Sequence, residues 1–438
     1  MKLINQLIIA VLLLVSVGAQ AQESWDLQKC IDYALENNIQ VKQQQINTNY
    51  YDNLSKQARN NRLPGLSGSI SQTYNFKNSQ NSTGSYQSGD IHQVGASLDA
   101  SLTLWNGFKL NNTVKQADFS LQARLQDLQK AKDDLMLNIA AAYLEILFAD
   151  ELIQVDKDQI AVTKSQVDRT GKLVKAGSLA KGSLLEIEAQ LASEELNLVE
   201  AENSQQLAYL NLYQMLELPA TESFVVEKPY LPVVRANSSV INSMDVYRKA
   251  VQTRPEVKSA EFDLQASQKS VAIAKGQLYP SLALGANYST YYYNIYEGSL
   301  FSQFKEQARP SVGLYLSIPI FGKLQARTDI SNANIDVLSR ELDVQNTKNV
   351  LRKEIETAYT NAVASLKKYM ASTKAVESMQ EAFRYTEEKF NVGMVNSVEY
   401  NQAKNNLTKA QSDLAQAKYE YIFRTKILDF YNGIPIQL

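Results

Sequence analysis

The sequence is poor in the residues that build disulfide-linked or metal-binding folds. It has one cysteine and one histidine in 438 residues. A single cysteine excludes an intramolecular disulfide and a zinc site made of several cysteines, and a single histidine excludes a cluster of histidine ligands. No P-loop, HExxH or G-x-S-x-G motif is present. We therefore predict a protein that is not an enzyme and has no cofactor.

Glycine, proline and net charge are also low. There are 17 Gly and 9 Pro, so turns are few and the helices and strands should be long. The 44 basic and 46 acidic residues give a formal net charge of −2. A general nucleic-acid binder would have a strongly basic surface, so we expect no nucleic-acid partner.

The N-terminus has the pattern of a secretory signal. Lys2 is followed by an apolar run from Leu7 to Val17, and Ala19-Gln20-Ala21 is an A-x-A cleavage site. We predict a signal peptide at 1–21. The alternative, a membrane anchor, would need about 20 apolar residues. No later run is long enough, so entry into a membrane would require β-strands or a peripheral partner.

The mature chain contains two copies of one pattern, separated by 216 residues. Ala142-Tyr143 matches Ala358-Tyr359, and Trp105 matches Phe321 at the same offset. Gly107 has its nearest match in Gly322, one residue short, which predicts a compensated gap. We place the first repeat at 22–219, an equatorial linker at 220–241 and the second repeat at 242–438.

Each repeat has the same predicted order of elements: a helix, two strands, a long helix and a return helix. The two long helices follow from runs free of Gly and Pro. In the first repeat the strands are at about 66–76 and 94–105, the long helix at 108–170 and the return helix at 183–218. In the second repeat the strands are at about 281–293 and 311–321, the long helix at 323–390 and the return helix at 397–432.

Two periodicities distinguish these elements. The long helices carry apolar residues at alternating spacings of three and four, which is typical of coiled coils. The strands alternate, with Leu98 and Ala100 on one face and Asp99 and Ser101 on the other. Strands of this length fit a transmembrane β-barrel, with Trp105 and Phe321 as aromatics at the membrane interface. A half-buried soluble sheet would show the same alternation.

Four strands cannot close a barrel, so several chains would have to contribute strands. Three chains giving twelve strands are favoured over two chains giving eight, because an eight-stranded interior is filled by side chains.

Several motifs resemble those of TolC-like outer-membrane efflux proteins. They are Trp25-Asp26-Leu27 with the following Cys30–Asn38 helix, Leu104-Trp105-Asn106-Gly107, Pro319-Ile320-Phe321-Gly322 and Phe390–Glu399. The resemblance implies a mainly α protein with transmembrane β-strands. Three chains would form a twelve-stranded barrel in the outer membrane, four strands from each. A long α-helical coiled-coil barrel would continue it through the periplasm.

The resemblance also implies roles for residues near the two helix reversals. Gly177 and Gly393 match the hairpin-turn glycine, and Leu179 and Val395 lie where a periplasmic adaptor is expected to bind. Four further positions match a periplasmic gate: Glu399 and Gln402, with Ser183 and Glu186 as their counterparts in the first repeat. Gln402 departs from the acidic residue of the family, so only Glu399 and Glu186 could supply negative charge. The alternative is that both are solvated surface glutamates.

We expect a passive exit duct for small toxic compounds in the outer membrane of a Gram-negative bacterium. Its implied partners are two further copies of the chain, outer-membrane lipid, a periplasmic adaptor and an inner-membrane transporter of the RND or ABC type. One alternative is the same channel serving type I secretion of proteins or peptides with an ABC exporter. An alternative of another class is a periplasmic coiled-coil adaptor without a pore.

Overall fold

The computed structural model describes residues 23–76, 79–80, 86–87, 90–219, 224–229 and 242–437. The predicted signal peptide, most of the predicted linker and most of the first strand-pair loop lie outside these ranges. Within them, no helix has the length and apolar content that crossing a bilayer requires.

The first repeat and the predicted linker together contain six strands and four helices among the described residues. In chain order they are β1 (Glu23–Trp25), α1 (Leu27–Asn37), α2 (Ile39–Asn60), β2 (Gly65–Asn75), β3 (Ser79–Gln80), β4 (Tyr86–Gln87), β5 (Ile91–Trp105), α3 (Lys109–Lys175), α4 (Lys181–Leu216) and β6 (Phe224–Val226). At about 1.5 Å per residue, the 67 residues of α3 extend roughly 100 Å.

The second repeat follows the same order of helices and long strands, with a short helix where the first repeat has β3 and β4. It consists of α5 (Ser243–Thr253), α6 (Pro255–Gly276), β7 (Ser281–Tyr293), α7 (Leu300–Glu306), β8 (Arg309–Ser317), α8 (Gln325–Asn391) and α9 (Ser397–Tyr431). The two long helices start at 109 and 325 and the two return helices at 181 and 397, so both pairs are separated by the 216 residues seen in the sequence.

The offset also holds at the turns that lead into the long helices, where the expected gap is wrong. Gly107 and Phe108 both have positive φ, at 65° and 62°. Their counterparts are Lys323 and Leu324, at 51° and 64°. The backbone equivalent of Gly107 is therefore Lys323 rather than Gly322. Gly107 needs to lack a side chain for a second reason, since a Cβ there would lie 2.6 Å from a backbone oxygen of Gly276.

The chain divides into two compact units, and the described residues of the first lie within 23–45, 127–257 and 347–437. Its largest core surrounds a short parallel pair, β1 with β6, which was not predicted and lies partly within the predicted linker. Trp25 stacks on Phe224 with ring centroids 4.8 Å apart. The hydroxyl of Tyr143 donates to the backbone oxygen of Glu227 at 2.6 Å. Cys30 is fully buried in this core, and burial raises the pKa of its thiol to about 12, so it is unreactive.

The second unit comprises 46–126 and 258–346 and contains a four-stranded antiparallel sheet in the order β2-β5-β7-β8. Two helices of this unit, α3 and α6, are joined by an ion pair in which Nη2 of Arg124 donates to both carboxylate oxygens of Asp263 at 2.8 Å. In the sheet, β8 ends at Ser317, before the predicted limit at 321. Pro319 follows closely and has no N–H to continue a ladder.

The connection from β7 to β8 contains α7, which was not predicted. Gln303 of this helix is 2% exposed, and its side-chain amide bonds to backbone groups at the end of β7 in the way that a neighbouring peptide group would. Its amide donates to the oxygens of Tyr293 and Tyr296, and its oxygen accepts from the N–H of Tyr293 at 2.9 Å. One glutamine therefore holds this loop against the end of β7.

Candidate functional site

Both helix reversals in the first unit are built around a left-handed glycine. After α3, the N–H of Gly177 donates to Val174 and the N–H of Ser178 donates to Leu173, at 3.0 and 2.9 Å. This is the Schellman pattern of helix termination. Gly177 has φ 74° and Gly393, which ends α8 in the same way, has φ 77°. A Cβ at either glycine would meet nothing within 4 Å, so backbone conformation alone explains the requirement for glycine.

The second reversal presents more apolar surface than the sequence analysis identified. Leu179 is 37% exposed and Val395 is half-buried. The more exposed residues are Val392, Met394 and Val398, at 69%, 76% and 60%. Three exposed apolar side chains grouped at one loop tip are consistent with a contact surface.

The predicted gate residues of the first repeat lie in the first turns of α4. Ser183 is half-buried, and its N–H donates to the backbone oxygen of Ala180 at 3.1 Å. The carboxylate of Glu186 accepts a hydrogen bond from the hydroxyl of Ser397, the first residue of α9. Glu186 therefore contacts the other helical hairpin, which its position in the sequence did not indicate.

The predicted gate residues of the second repeat lie on the exposed side of α9. Asn396 caps this helix, and its side chain accepts from the N–H of Glu399 at 2.9 Å. A carboxylate at this position also interacts favourably with the helix dipole. Gln402 donates to Asn406 at 3.0 Å along the same helix. Within the described residues, no hydrogen bond or ion pair joins Glu399 to Glu186.

Above the tips, polar side chains connect the two hairpins at several levels. Arg169 of α3 donates to the side chain of Asn391 at the end of α8. Gln190 of α4 donates to Asn405 of α9 at 2.8 Å, and the reverse bond measures 3.3 Å. One turn further, Glu194 of α4 receives the ammonium of a lysine on α9.

That lysine is Lys404, which is 1% exposed and supplies the positive charge of a buried polar cluster. Its ammonium lies 2.9 Å from Glu194 Oε1 and 3.1 Å from the backbone oxygen of Gln159, and it also contacts the hydroxyl of Thr163. Glu194 is 7% exposed and accepts further bonds from Thr163 and Gln190. Burial lowers the pKa of the Lys404 ammonium. The cluster joins α3, α4 and α9.

This cluster was not predicted from the sequence, although a signal was present. Lys404 lies in an apolar stripe between Tyr400 and Leu407, at spacings of four and three. Glu194 occupies the same kind of position on α4, seven residues after the buried Ile187. A charged residue at a seam position marks a buried polar contact in coiled coils.

The sheet of the second unit separates polar from apolar side chains across its whole width. Pairing registers bring the polar residues of the four strands into rows. One row is Ser67, Asp99, Asn287 and Ser311, and the next is Ser69, Ser97, Ser289 and Arg309. The row on the opposite face between them is Gly68, Leu98, Tyr288 and Pro310. The alternation seen in single strands thus becomes two continuous surfaces.

A family model described as outer membrane efflux protein matches residues 30–217 and 246–428, one region in each repeat. The chain belongs to the outer membrane efflux protein family. This efflux protein is 23% identical over 403 residues to toxin and drug export protein A of Aggregatibacter actinomycetemcomitans, covering 90% of this chain and 83% of that one. It is 24% identical to the outer membrane protein TolC of Vibrio cholerae, over 69% of this chain and 68% of that one.

A solved structure shows the same fold. The outer membrane protein VceC of Vibrio cholerae superposes with a TM-score of 0.78 at 17% identity, covering 94% of this chain and 97% of that chain. This likeness supports the tandem architecture of long helices and strand pairs found here.

In this efflux protein the predicted interface aromatics lie at the end of the sheet where α3 begins. The pairing of β5 with β7 shifts between Thr103 and Trp105, so Trp105 lies opposite Leu282. Leu104 is the extra residue of this bulge. It resets the alternation, so Trp105 does not lie on the polar face with Asp99 and Ser101. Phe321 is 78% exposed and lies beyond the end of β8.

Proposed function

We propose that the protein is the outer-membrane duct of a tripartite export system, formed by three copies of the chain. The observation that carries this proposal is the four-stranded sheet with two open edges. Within the described residues, β2 pairs only with β5, and β8 pairs only with β7. Open edges leave backbone groups without hydrogen bonds, which hydrocarbon does not tolerate. Three copies would supply twelve strands and close the barrel.

The two faces of the sheet fit opposite environments. The apolar face carries four side chains that are each more than 65% exposed: Leu66, Ile70, Val312 and Leu314. Their exposure is expected if this face contacts lipid. The face that carries Ser67, Asp99 and Asn287 suits a water-filled lumen.

The helices also expose apolar surface that a second copy would cover. On α4, Leu196, Val199, Leu207 and Leu210 are 57–62% exposed. Their spacings of 3, 8 and 3 place them on one helix face. Monomeric soluble proteins rarely leave such a stripe uncovered.

The expected partners are a periplasmic adaptor and an inner-membrane transporter of the RND or ABC type. The exposed Val392, Met394 and Leu179 at the hairpin tips are the surface that we assign to the adaptor. The relative from Aggregatibacter is named for export of both toxins and drugs. Efflux of small toxic compounds is the primary proposal, and type I secretion is the second.

Glu399 remains our candidate for the charge at the periplasmic gate, because its side of α9 is exposed. We assign Glu186 a different role, as a link to Ser397, because its carboxylate is already engaged. In planar bilayers, Glu399→Gln should weaken block by multivalent cations from the periplasmic side. Gln402→Asn is the control, and equal block in all variants would remove the gate role.

The proposed duct is tested by the detergent-corrected mass of protein extracted from outer membranes, followed by conductance. A trimer of roughly 140 kDa that opens channels supports the proposal. A stable monomer released without detergent would instead favour the periplasmic adaptor class. Restored resistance to toxic compounds, as against restored secretion of a protein substrate, in a strain lacking its own duct separates the two cargo classes.

A further inference from the structure

Asp99 lies on the polar face of the sheet and is held by two neighbours. Asn287 of β7 donates to its Oδ1 at 2.6 Å, and Ser97 of β5 donates to its Oδ2 at 2.8 Å. The hydroxyl of Ser97 lies 2.9 Å from that of Ser69 on β2. Three strands therefore fix the carboxylate while leaving it exposed to solvent.

Arg309, the first residue of β8, is the other formal charge in these strands. The ranges of β2, β5, β7 and β8 contain no further Asp, Glu, Lys or Arg. Arg309 pairs with Ser289, and Ser311 pairs with Asn287, the partner of Asp99. Residues two apart in a strand share a face, so Arg309 and Asp99 belong to the same face, one row apart.

The strand order sets how these charges would repeat around a closed barrel. Asp99 is on the second strand of the sheet and Arg309 is on the fourth. In three copies joined edge to edge, a charged strand would recur at every second position, alternating in sign. Two strand spacings are about 10 Å, so each charge would have neighbours of opposite sign at similar distances on both sides.

We propose that Asp99 and Arg309 form a belt of alternating charge on the lumen side of the barrel, and that the balance between the two charges keeps the duct from favouring cations or anions. Asp99 attracts cations and Arg309 attracts anions, so the two side chains act in opposite directions. Net charge in the belt is zero, which leaves the duct open to charged cargo of either sign. The belt rests on the proposed trimeric duct.

The test is the reversal potential of the full-length protein in planar bilayers under a potassium chloride gradient. Asp99→Asn, which keeps an acceptor for Asn287, should lower the potassium-to-chloride permeability ratio by about three-fold. Arg309→Gln should raise the ratio by a similar factor. The double variant should return close to the wild-type ratio. Matched controls are Glu306→Gln and Lys305→Gln, which remove the same charges from α7, outside the sheet.

The outcomes separate the belt from the duct itself. Opposite shifts that cancel in the double variant support the belt. If the wild type forms channels and neither substitution changes the potassium-to-chloride permeability ratio, the belt is overturned and the duct proposal stands. Absence of any channel in the wild-type trimer overturns the duct, and with it the belt. Heat-resistant migration of each variant on a gel shows that the barrel has assembled.

Discussion

The ammonium of Lys404 lies 2.9 Å from the carboxylate of Glu194, and both side chains are at least nine-tenths buried between helices of the two hairpins. The pair is asymmetric between the repeats. At the offset of 216, the counterpart of Glu194 is Ala410 and the counterpart of Lys404 is Glu188. Two copies of one pattern have therefore diverged at a buried contact that joins them.

Removing one partner of this pair should strongly destabilise the hairpins. Lys404→Met leaves Glu194 as a buried charge without its ion-pair partner, and losses of about 3–5 kcal/mol are usual in that situation. A marked drop in the midpoint of thermal unfolding, followed by circular dichroism in detergent, is expected. Lys409→Met on the exposed side of α9 is the control. The double variant Lys404→Met with Glu194→Leu should recover most of the loss, and failure to do so would show that shape rather than charge governs the site.

Tyr400 should make stability depend on pH at alkaline values. Burial, with a smaller contribution from Glu387, raises the pKa of its hydroxyl to about 12. An unfolded tyrosine loses its proton near pH ~10. The folded state retains the proton longer, so this stabilisation is complete below about pH 10 and is lost as pH rises toward 12.

The measurement compares wild type with Tyr400→Phe, which keeps the ring that stacks on Phe390 at 4.7 Å. Unfolding midpoints recorded between about pH 9 and 12 should fall more steeply in the wild type. Other buried tyrosines are present in both proteins and cancel. Parallel curves would mean that Tyr400 titrates normally.

Glycine-to-alanine substitutions at the two hairpin tips should change the free energy of unfolding in opposite directions at Gly393 and Gly182. Gly393→Ala places a Cβ on a residue with φ 77°, which costs about 1–2 kcal/mol. Gly182→Ala, in the first turn of α4, meets nothing within 4 Å and should stabilise by about 0.4–1 kcal/mol. Limited proteolysis of the folded protein should show faster nicking in the first variant and slower nicking in the second. Equal effects would indicate that the Gly393 turn relaxes without strain.

The exposed stripe on α4 should be required for assembly. Leu207 is 57% exposed, and a glutamate there would bury three charges if copies pack through this face. Leu207→Glu should yield monomers by detergent-corrected mass. Gln206→Glu adds the same charge at the adjacent exposed position and should remain trimeric. A trimeric Leu207→Glu protein would exclude this face from the interface.

Much of the architecture could be predicted because it depends on local patterns. The 216-residue offset, the long runs free of Gly and Pro and the two-residue alternation all predicted elements that the structure contains. Predictions failed where a short local segment carried little pattern. The three-residue strands β1 and β6 form a parallel pair within the first unit, and α7 consists of only seven residues.

The residues of the candidate site likewise divide into those that a local pattern predicts and those that it does not. Gly177 and Gly393 were identifiable because a helix reversal between two long runs needs a left-handed residue. Lys404 and Glu194 were not identified, because each resembles an exposed helix residue until the other helix is placed against it. The same holds for Glu186, whose contact with Ser397 joins positions 211 residues apart.

The sequence by itself determined which residues alternate, where the chain repeats and where the long helices reverse, since these depend on spacing along one segment. Only the tertiary structure decided which strand positions lie side by side and which polar groups are buried. Strand register placed Asn287 beside Asp99, and a bulge moved Trp105 out of that polar series. Such relationships depend on the pairing of distant segments, and a shift of one residue in register would move every side chain of a strand to the other face.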